Sequence, residues 1–294
     1  MNDLSISFCK LFFSNPFILP SGVYSDKNAY IRAFQSGVSA ITWKSLTKNP
    51  RLGNPAPTVW KYDCGAINSV GLRNPGIEIG VLEVKEFLKE NPLIPVIASI
   101  FSTNIQEFAG LVEKVSSIHP HMIELNLSCP NVDDDFGQPL GMQSGAAGKI
   151  VAEAKKYSGK IPLLAKLSPN VNNIAEIAKA CEASGADGIV AINTVGPGMI
   201  IDIKKKKPIL GAKKGGVSGA GILPVTVRCV YEIFEAVKIP IIGMGGVTKW
   251  QDVVEIMMAG ATLVGVGTAT YSKGMKVYEE LKQELTKYME SENI

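Results

Sequence analysis

Cys129 lies in the stretch NLSCPNV, residues 126–132, among Asn126, Ser128 and Asn131. A free thiol, with a reference pKa of about 8.5, can act as a general base or a nucleophile near neutral pH. Acyl transfer through cysteine would want a histidine beside the sulfur. The chain has 2 histidines, His119 and His121, both before the apolar run that leads into Asn126. On a strand through that run they sit at the end opposite Cys129, which argues against Cys–His catalysis. The other four cysteines, Cys9, Cys64, Cys181 and Cys229, read as small apolar side chains. Five cysteines, widely spaced and without C-x-x-C, suggest neither a disulfide framework nor a cysteine metal cluster.

Two lysines and two asparagines also follow directly on apolar runs: Lys44, Asn126, Lys166 and Asn193. Near the C-terminus, GMGGV (243–247) and GVGT (265–268) are glycine turns, and GGVSGAG spans 215–221. Glycines let a ligand approach the backbone and leave amide N–H groups free to cradle an anion at a helix start. None of these turns matches G-x-G-x-x-G, and SGAAGKI (144–150) lacks the spacing and the hydroxyl of a Walker loop. The expected ligand is therefore a mononucleotide phosphate rather than NAD or ATP. Asp133–Asp135 has no accompanying ligand cluster and reads as a solvated loop tip, so no metal site is expected. The four lysines at 204–207 read as a solvated loop between Asp202 and Pro208.

Such residues need a scaffold to bring them together. Short apolar runs recur at Phe17–Pro20, Ser39–Trp43, Pro95–Ile100, Met122–Leu127, Pro162–Leu167, Asp187–Ile192, Ile239–Gly243 and Thr262–Val266. Most lack period-2 alternation, as expected for strands buried on both faces. Amphipathic stretches lie between them: Asn104–Ser117, Asn172–Ser184 closed by Gly185, Trp250–Met258 and Lys276–Met289. Eight strands alternating with helices, in 294 residues without a linker, predict an α/β fold, a single-domain (β/α)8 TIM barrel over 1–294. The longest irregular stretches, Leu46–Gly76, Pro130–Gly148 and Gly196–Gly221, all follow a strand's C-terminal end, the active-site face of a barrel. The polar strand ends then converge: Ser21–Gly22, Lys44–Ser45, Ser99, Asn126–Asn131, Lys166, Asn193–Thr194, Gly245–Gly246 and Gly267–Thr268.

A hydrophobic content of 46% with 19% charged residues fits a globular enzyme. The net charge of +3 is too small to imply a nucleic-acid or anionic-membrane partner. No run reaches the roughly 18–20 apolar residues needed to span a bilayer. MNDLSISFCKLFF reads as neither a signal peptide nor an anchor. A cytoplasmic location is expected.

NPFILPSG, ITWKS, NSVGLRNPG, ELNLSCPNV, AKLSPN, INT, GGVSG, IPIIGMGGV and VGVGTA occur in barrel order. Together, from about Asn15 to Thr270, they resemble class 1 dihydroorotate dehydrogenases. The resemblance implies FMN and the oxidation of dihydroorotate to orotate in pyrimidine biosynthesis. It implies flavin contacts from Ser21, Lys44, Ser45, Ser99, Asn126, Lys166, Ile192, Gly219, Gly245, Gly246, Gly267 and Thr268. Substrate contacts would come from Lys44, Asn68, Ser69, Val70, Gly71, Leu72, Asn126, Asn193 and Thr194. Cys129 would take the proton from C5, the hydride would pass from C6 to flavin N5, and Lys166 would offset the charge of the reduced ring, with Lys44 also catalytic. Ser99 stands where the family usually has asparagine, and Ser45 where threonine is common. Asp135–Gly137 resembles the class 1B subtype, which works with an iron–sulfur, FAD-containing subunit and passes electrons to NAD. Fumarate stays open as an acceptor, and a homodimer or a heterotetramer as the assembly. The quinone-linked class 2, with its membrane-binding N-terminal extension, is not expected. Two other readings remain at this point: a dihydropyrimidine dehydrogenase-like flavin barrel, whose cysteine motif usually continues Pro-His where this chain has Pro130–Asn131, and a non-catalytic phosphate-binding barrel. A dihydrouridine synthase is disfavoured by the modest charge.

Overall fold

The computed structural model describes residues 4–127 and 143–292. Eight parallel strands close into a barrel. They are β1 (Phe17–Leu19), β2 (Ala40–Thr42), β3 (Val96–Ile100), β4 (Met122–Asn126), β5 (Leu163–Leu167), β6 (Gly188–Ala191), β7 (Ile241–Met244) and β8 (Leu263–Gly265). Their order around the barrel follows the chain, and β8 closes onto β1 through Val264 opposite Phe17. Each strand lies within two residues of the run that predicted it.

Helices α1 (Lys27–Gln35), α2 (Ile77–Glu90), α3 (Ile105–Ser116), α4 (Ser144–Ser158), α5 (Ile174–Ala183), α6 (Leu223–Ala236), α7 (Trp250–Met258) and α8 (Val277–Glu292) follow the strands in turn. Their starts are chemically marked. Asp26, Asn104 and Asn173 each accept a backbone N–H of the first turn, which satisfies an orphan donor. Gly185, at φ +97°, ends α5 as the sequence predicts.

The continuous apolar character of the strands resolves into two cores. Along β5, Leu163, Ala165 and Leu167 join the layer shared with the helices, whereas Leu164 points into the barrel. Ile18, Ala40, Ile97, Met122, Leu164, Val190, Ile242 and Leu263 fill the interior. An N-terminal hairpin, Ile6–Phe8 paired with Leu11–Phe13, plugs the bottom with Phe8 and Phe13. Its two-residue turn places Cys9 and Lys10 at φ +48° and +64°, a twist that matches the strands it joins. The Cys9 thiol donates to the carbonyl of Asp187, just before β6.

Two stretches expected to be irregular pair with each other instead. Val59–Tyr62, Gly65–Asn68, Gly215–Ser218 and Val195–Gly198 form a four-stranded antiparallel sheet. Gly216 pairs with Asn68, and Ser218 with Ala66. Gly216 has no Cβ because one would collide with the Thr194 side chain. Most of the third stretch, and with it Cys129, Asn131, Asp133–Asp135 and Gly137, lies outside the described residues.

Candidate active site

Strand alternation builds the site's floor. In β4, Met122, Glu124 and Asn126 point inward at successive heights; in β5, Leu164 and then Lys166 do so; in β3, Ile97 and then Ser99. The apolar storey of the barrel thus gives way to a polar one towards the C-terminal ends. Glu124 Oε1 accepts a hydrogen bond from Ser99 Oγ at 2.8 Å, and Glu124 Oε2 lies 3.8 Å from Lys166 Nζ. Both side chains of this ion pair are almost fully buried, at 2% and 6% exposure. An isolated charge at that depth would cost several kcal/mol, so each partner makes the other tolerable. Ser99 Oγ also meets Ser45 Oγ at 2.8 Å, and Asn126 Nδ2 donates to Ser45 Oγ at 3.3 Å. Ser21 Oγ reaches the Trp43 carbonyl at 3.0 Å and Ser45 Oγ at 3.3 Å.

Above this storey opens a cleft walled by strand ends on one side and the four-stranded sheet on the other. Ser21, Lys44, Ser45, Asn126, Lys166, Ile192, Asn193, Thr194, Gly245, Gly246, Gly267 and Thr268 line it from the barrel. Asn68, Val70, Gly71, Leu72 and Gly219 line it from the sheet and its loops. Two expected residues do not reach it. Ser99 sits beneath the floor, committed to Glu124 and Ser45. Ser69 is buried behind the wall, where it accepts from Asn54 Nδ2 at 2.8 Å.

Supporting contacts hold the lining in place. The backbone N–H of Lys44 donates to the Tyr30 hydroxyl, which itself donates to the Tyr24 carbonyl. Burial pushes the Tyr30 phenol far above its ordinary value, so it stays protonated. Asn170 holds the loop after β6: its Nδ2 donates to the Thr194 carbonyl and its Oδ1 accepts from Gly196 N–H. Tyr271 also lines the cleft, its phenol raised by burial and then by nearby Tyr24.

One corner is built for an anion. Helix α6 starts at Leu223 and continues a 3-10 turn over Ala220–Ile222, so the Leu223 N–H donates to the Ala220 carbonyl and Pro224 has no N–H to offer. Gly246, at φ +90°, lies so close that a Cβ there would come within 2.6 Å of Leu223 Cα. The glycine turns after β7 and β8 therefore bring bare backbone close to the start of α6, where the helix dipole favours negative charge. Thr268 Oγ1 donates to Ser218 Oγ at 2.9 Å and ties this corner to the sheet. The glycine corner, a donor-rich wall at Lys44, Asn68, Asn126, Lys166 and Asn193, and an apolar middle at Ile192 and Met244 could together hold a flat cofactor that carries a phosphate.

The histidines are elsewhere. His121 Nδ1 accepts the Val96 N–H at the barrel's N-terminal side, where burial lowers the ring's pKa. No group of three or more His, Cys, Asp or Glu among the described residues could hold a metal ion. No helix among them is long and apolar enough to cross a membrane.

Tyr271, Ser218, Met244 and Glu124 were not foreseen as site residues. Glu124 did carry a signal: a carboxylate inside an otherwise apolar strand, two positions before Asn126 and so on the same face.

A family model described as dihydroorotate dehydrogenase matches residues 3–289. The chain is 42% identical over 291 residues to the protein named dihydroorotate dehydrogenase B (NAD(+)), catalytic subunit, of Pyrococcus furiosus, covering 99% of this chain and 95% of that one. It is 41% identical over 278 residues to the protein of the same name in Methanosarcina acetivorans, covering 94% and 88%. A Geobacillus protein, again so named, is 40% identical over 276 residues, covering 92% and 86%.

Proposed function

This chain belongs to the dihydroorotate dehydrogenase family, and from that premise we propose that it binds FMN in the cleft and oxidises dihydroorotate to orotate. The observation that carries the reading is the convergence of Lys44, Asn68, Asn126, Lys166, Asn193 and Thr194 on one cleft that ends in the glycine corner. FMN, when bound, supplies the acceptor for the hydride leaving C6 of the substrate. The backbone of Gly245, Gly246, Gly267 and Thr268, with Gly219, would hold its phosphate.

The chain's own residues do the rest. Asparagine amides both donate and accept, which suits the alternating N–H and C=O groups of a cyclic imide. Lys44 offsets the substrate carboxylate. Lys166 places a cation on the wall where negative charge arrives with the hydride. Cys129 is the base for the C5 proton, which the adjacent carbonyl makes acidic. Holding the two reacting rings in register lowers the barrier further. The chain works in the cytoplasm, in pyrimidine biosynthesis. An iron–sulfur, FAD-bearing subunit relays its electrons to NAD, in a heterotetramer.

Anaerobic addition of dihydroorotate to the yellow protein tests the reading. Bleaching by dihydroorotate, and not by dihydrouracil, is expected. Bleaching by dihydrouracil alone would move the enzyme to pyrimidine degradation, and a protein unable to bind FMN would leave only a phosphate-binding barrel.

A further inference from the structure

Glu124 has no part in the chemistry just described, yet it is a carboxylate at the centre of the barrel with 1% of its surface exposed. A charge at that depth is expensive, and a glutamine of the same shape would satisfy Ser99 equally well. What glutamine could not do is fix direction. A carboxylate only accepts hydrogen bonds, whereas an amide also donates.

That asymmetry propagates. The single hydroxyl proton of Ser99 goes to Glu124 Oε1. The 2.8 Å contact between Ser45 and Ser99 must then be a donation from Ser45. Ser45 Oγ is left to accept, and it does so from Asn126 Nδ2. Every donor in the series Asn126, Ser45, Ser99 points towards Glu124, which settles which end of the Asn126 amide turns to the floor. On its other oxygen the same carboxylate faces Lys166 at 3.8 Å. Two lining groups, a cation and an amide, are therefore keyed to one buried anion that does not itself line the cleft.

We propose that Glu124 is a positioning residue of this site: it orients Asn126 through Ser99 and Ser45, and it tempers the positive field that Lys166 presents to the flavin. This inference rests on the function proposed above. The carboxylate is a brake on Lys166, so removing its charge makes the wall more positive and favours the reduced cofactor. The serine arm carries no charge, so breaking it disturbs amide orientation and hence recognition of the substrate ring.

The test uses the FMN-loaded protein and two variants, Glu124→Gln and Ser99→Ala, read by flavin midpoint potential and by orotate titration of the flavin spectrum. A wild-type protein that takes up no FMN refutes the function itself before either variant is made. Given a yellow wild type, Glu124→Gln should raise the ratio of reduced- to oxidised-FMN affinity on the order of tenfold, about 30 mV for a two-electron couple. Ser99→Ala should leave the potential in place and weaken orotate binding several-fold. A folded Glu124→Gln protein with an unchanged or lowered potential overturns the charge role. Wild-type orotate affinity in Ser99→Ala overturns the orienting role, and that arm decides the matter should Glu124→Gln fail to fold. A merely structural glutamate would lower thermal stability in both variants and move neither readout.

Discussion

Replacing Gly246 with alanine puts one methyl group between the turn after β7 and the start of α6. Its φ of +90° lies in the left-handed region, where a Cβ costs about 1–2 kcal/mol. The new Cβ would stand 2.6 Å from Leu223 Cα and 2.7 Å from Leu223 N, both backbone atoms of the helix. Ordinary contact begins near 3.4 Å, so turn and helix must part by about 0.8 Å. That is enough to take one N–H out of line with a bound phosphate. A hydrogen bond to a charged group is worth about 1.5–3 kcal/mol, which makes the expected loss in FMN affinity roughly 10- to 150-fold. Riboflavin has the same ring without the phosphate, so its affinity should fall far less. Both ligands can be followed by quenching of their fluorescence on titrating apo-protein. Gly274→Ala is the control, because it has φ +69° but nothing within 4 Å of a new Cβ. Equal weakening of FMN and riboflavin by Gly246→Ala would show general damage, and unchanged FMN affinity would place the phosphate elsewhere. Either result refutes the argument.

Three further outcomes are expected. Cys129→Ala should keep its FMN and lose most of its reduction by dihydroorotate, measured anaerobically by stopped flow; unaltered reduction would remove Cys129 as the base. Phe8→Ala should destabilise the fold by about 3–5 kcal/mol in denaturant titrations, since it empties the bottom of the barrel, while the flavin spectrum of the folded protein stays as it was. Burial pushes the Cys181 thiol up to about 12, and burial with Asp187 nearby does the same for Cys9. In the range above pH 9 the unfolded chain therefore loses these protons before the folded one does. Stability should fall from about pH 9 to pH 12, by at most about 1.4 kcal/mol per pH unit for Cys181. A flat unfolding midpoint across that range would contradict the burial of these thiols.

The barrel was legible because parallel strands buried on both faces leave unbroken apolar runs, and the eight runs lie within two residues of the strands. The cleft was legible because barrels gather strand ends, so Lys44, Asn126, Lys166 and Asn193 could be grouped before any contact was known. Three features escaped for different reasons. The sheet over the cleft joins segments such as Ala66 and Ser218, whose pairing leaves no local periodicity. The N-terminal plug is too short to read as an element. Ser99 and Ser69 were placed on the lining by motif position, but a strand end reveals the face a residue takes and not the depth at which it stops. Glu124 was visible all along as a charge out of place. Its meaning required the distances to Ser99 and Lys166.

Both sides of the cleft depend on late parts of the chain. Asn68 Nδ2 donates to the carbonyl of Gly216, 148 residues further along, and β1 pairs with β8. Neither contact is available until most of the polypeptide has left the ribosome. Meanwhile the anion corner needs β7, β8 and α6 together. No early fragment can assemble this cleft, so the cofactor proposed for it has no site until the barrel is nearly closed.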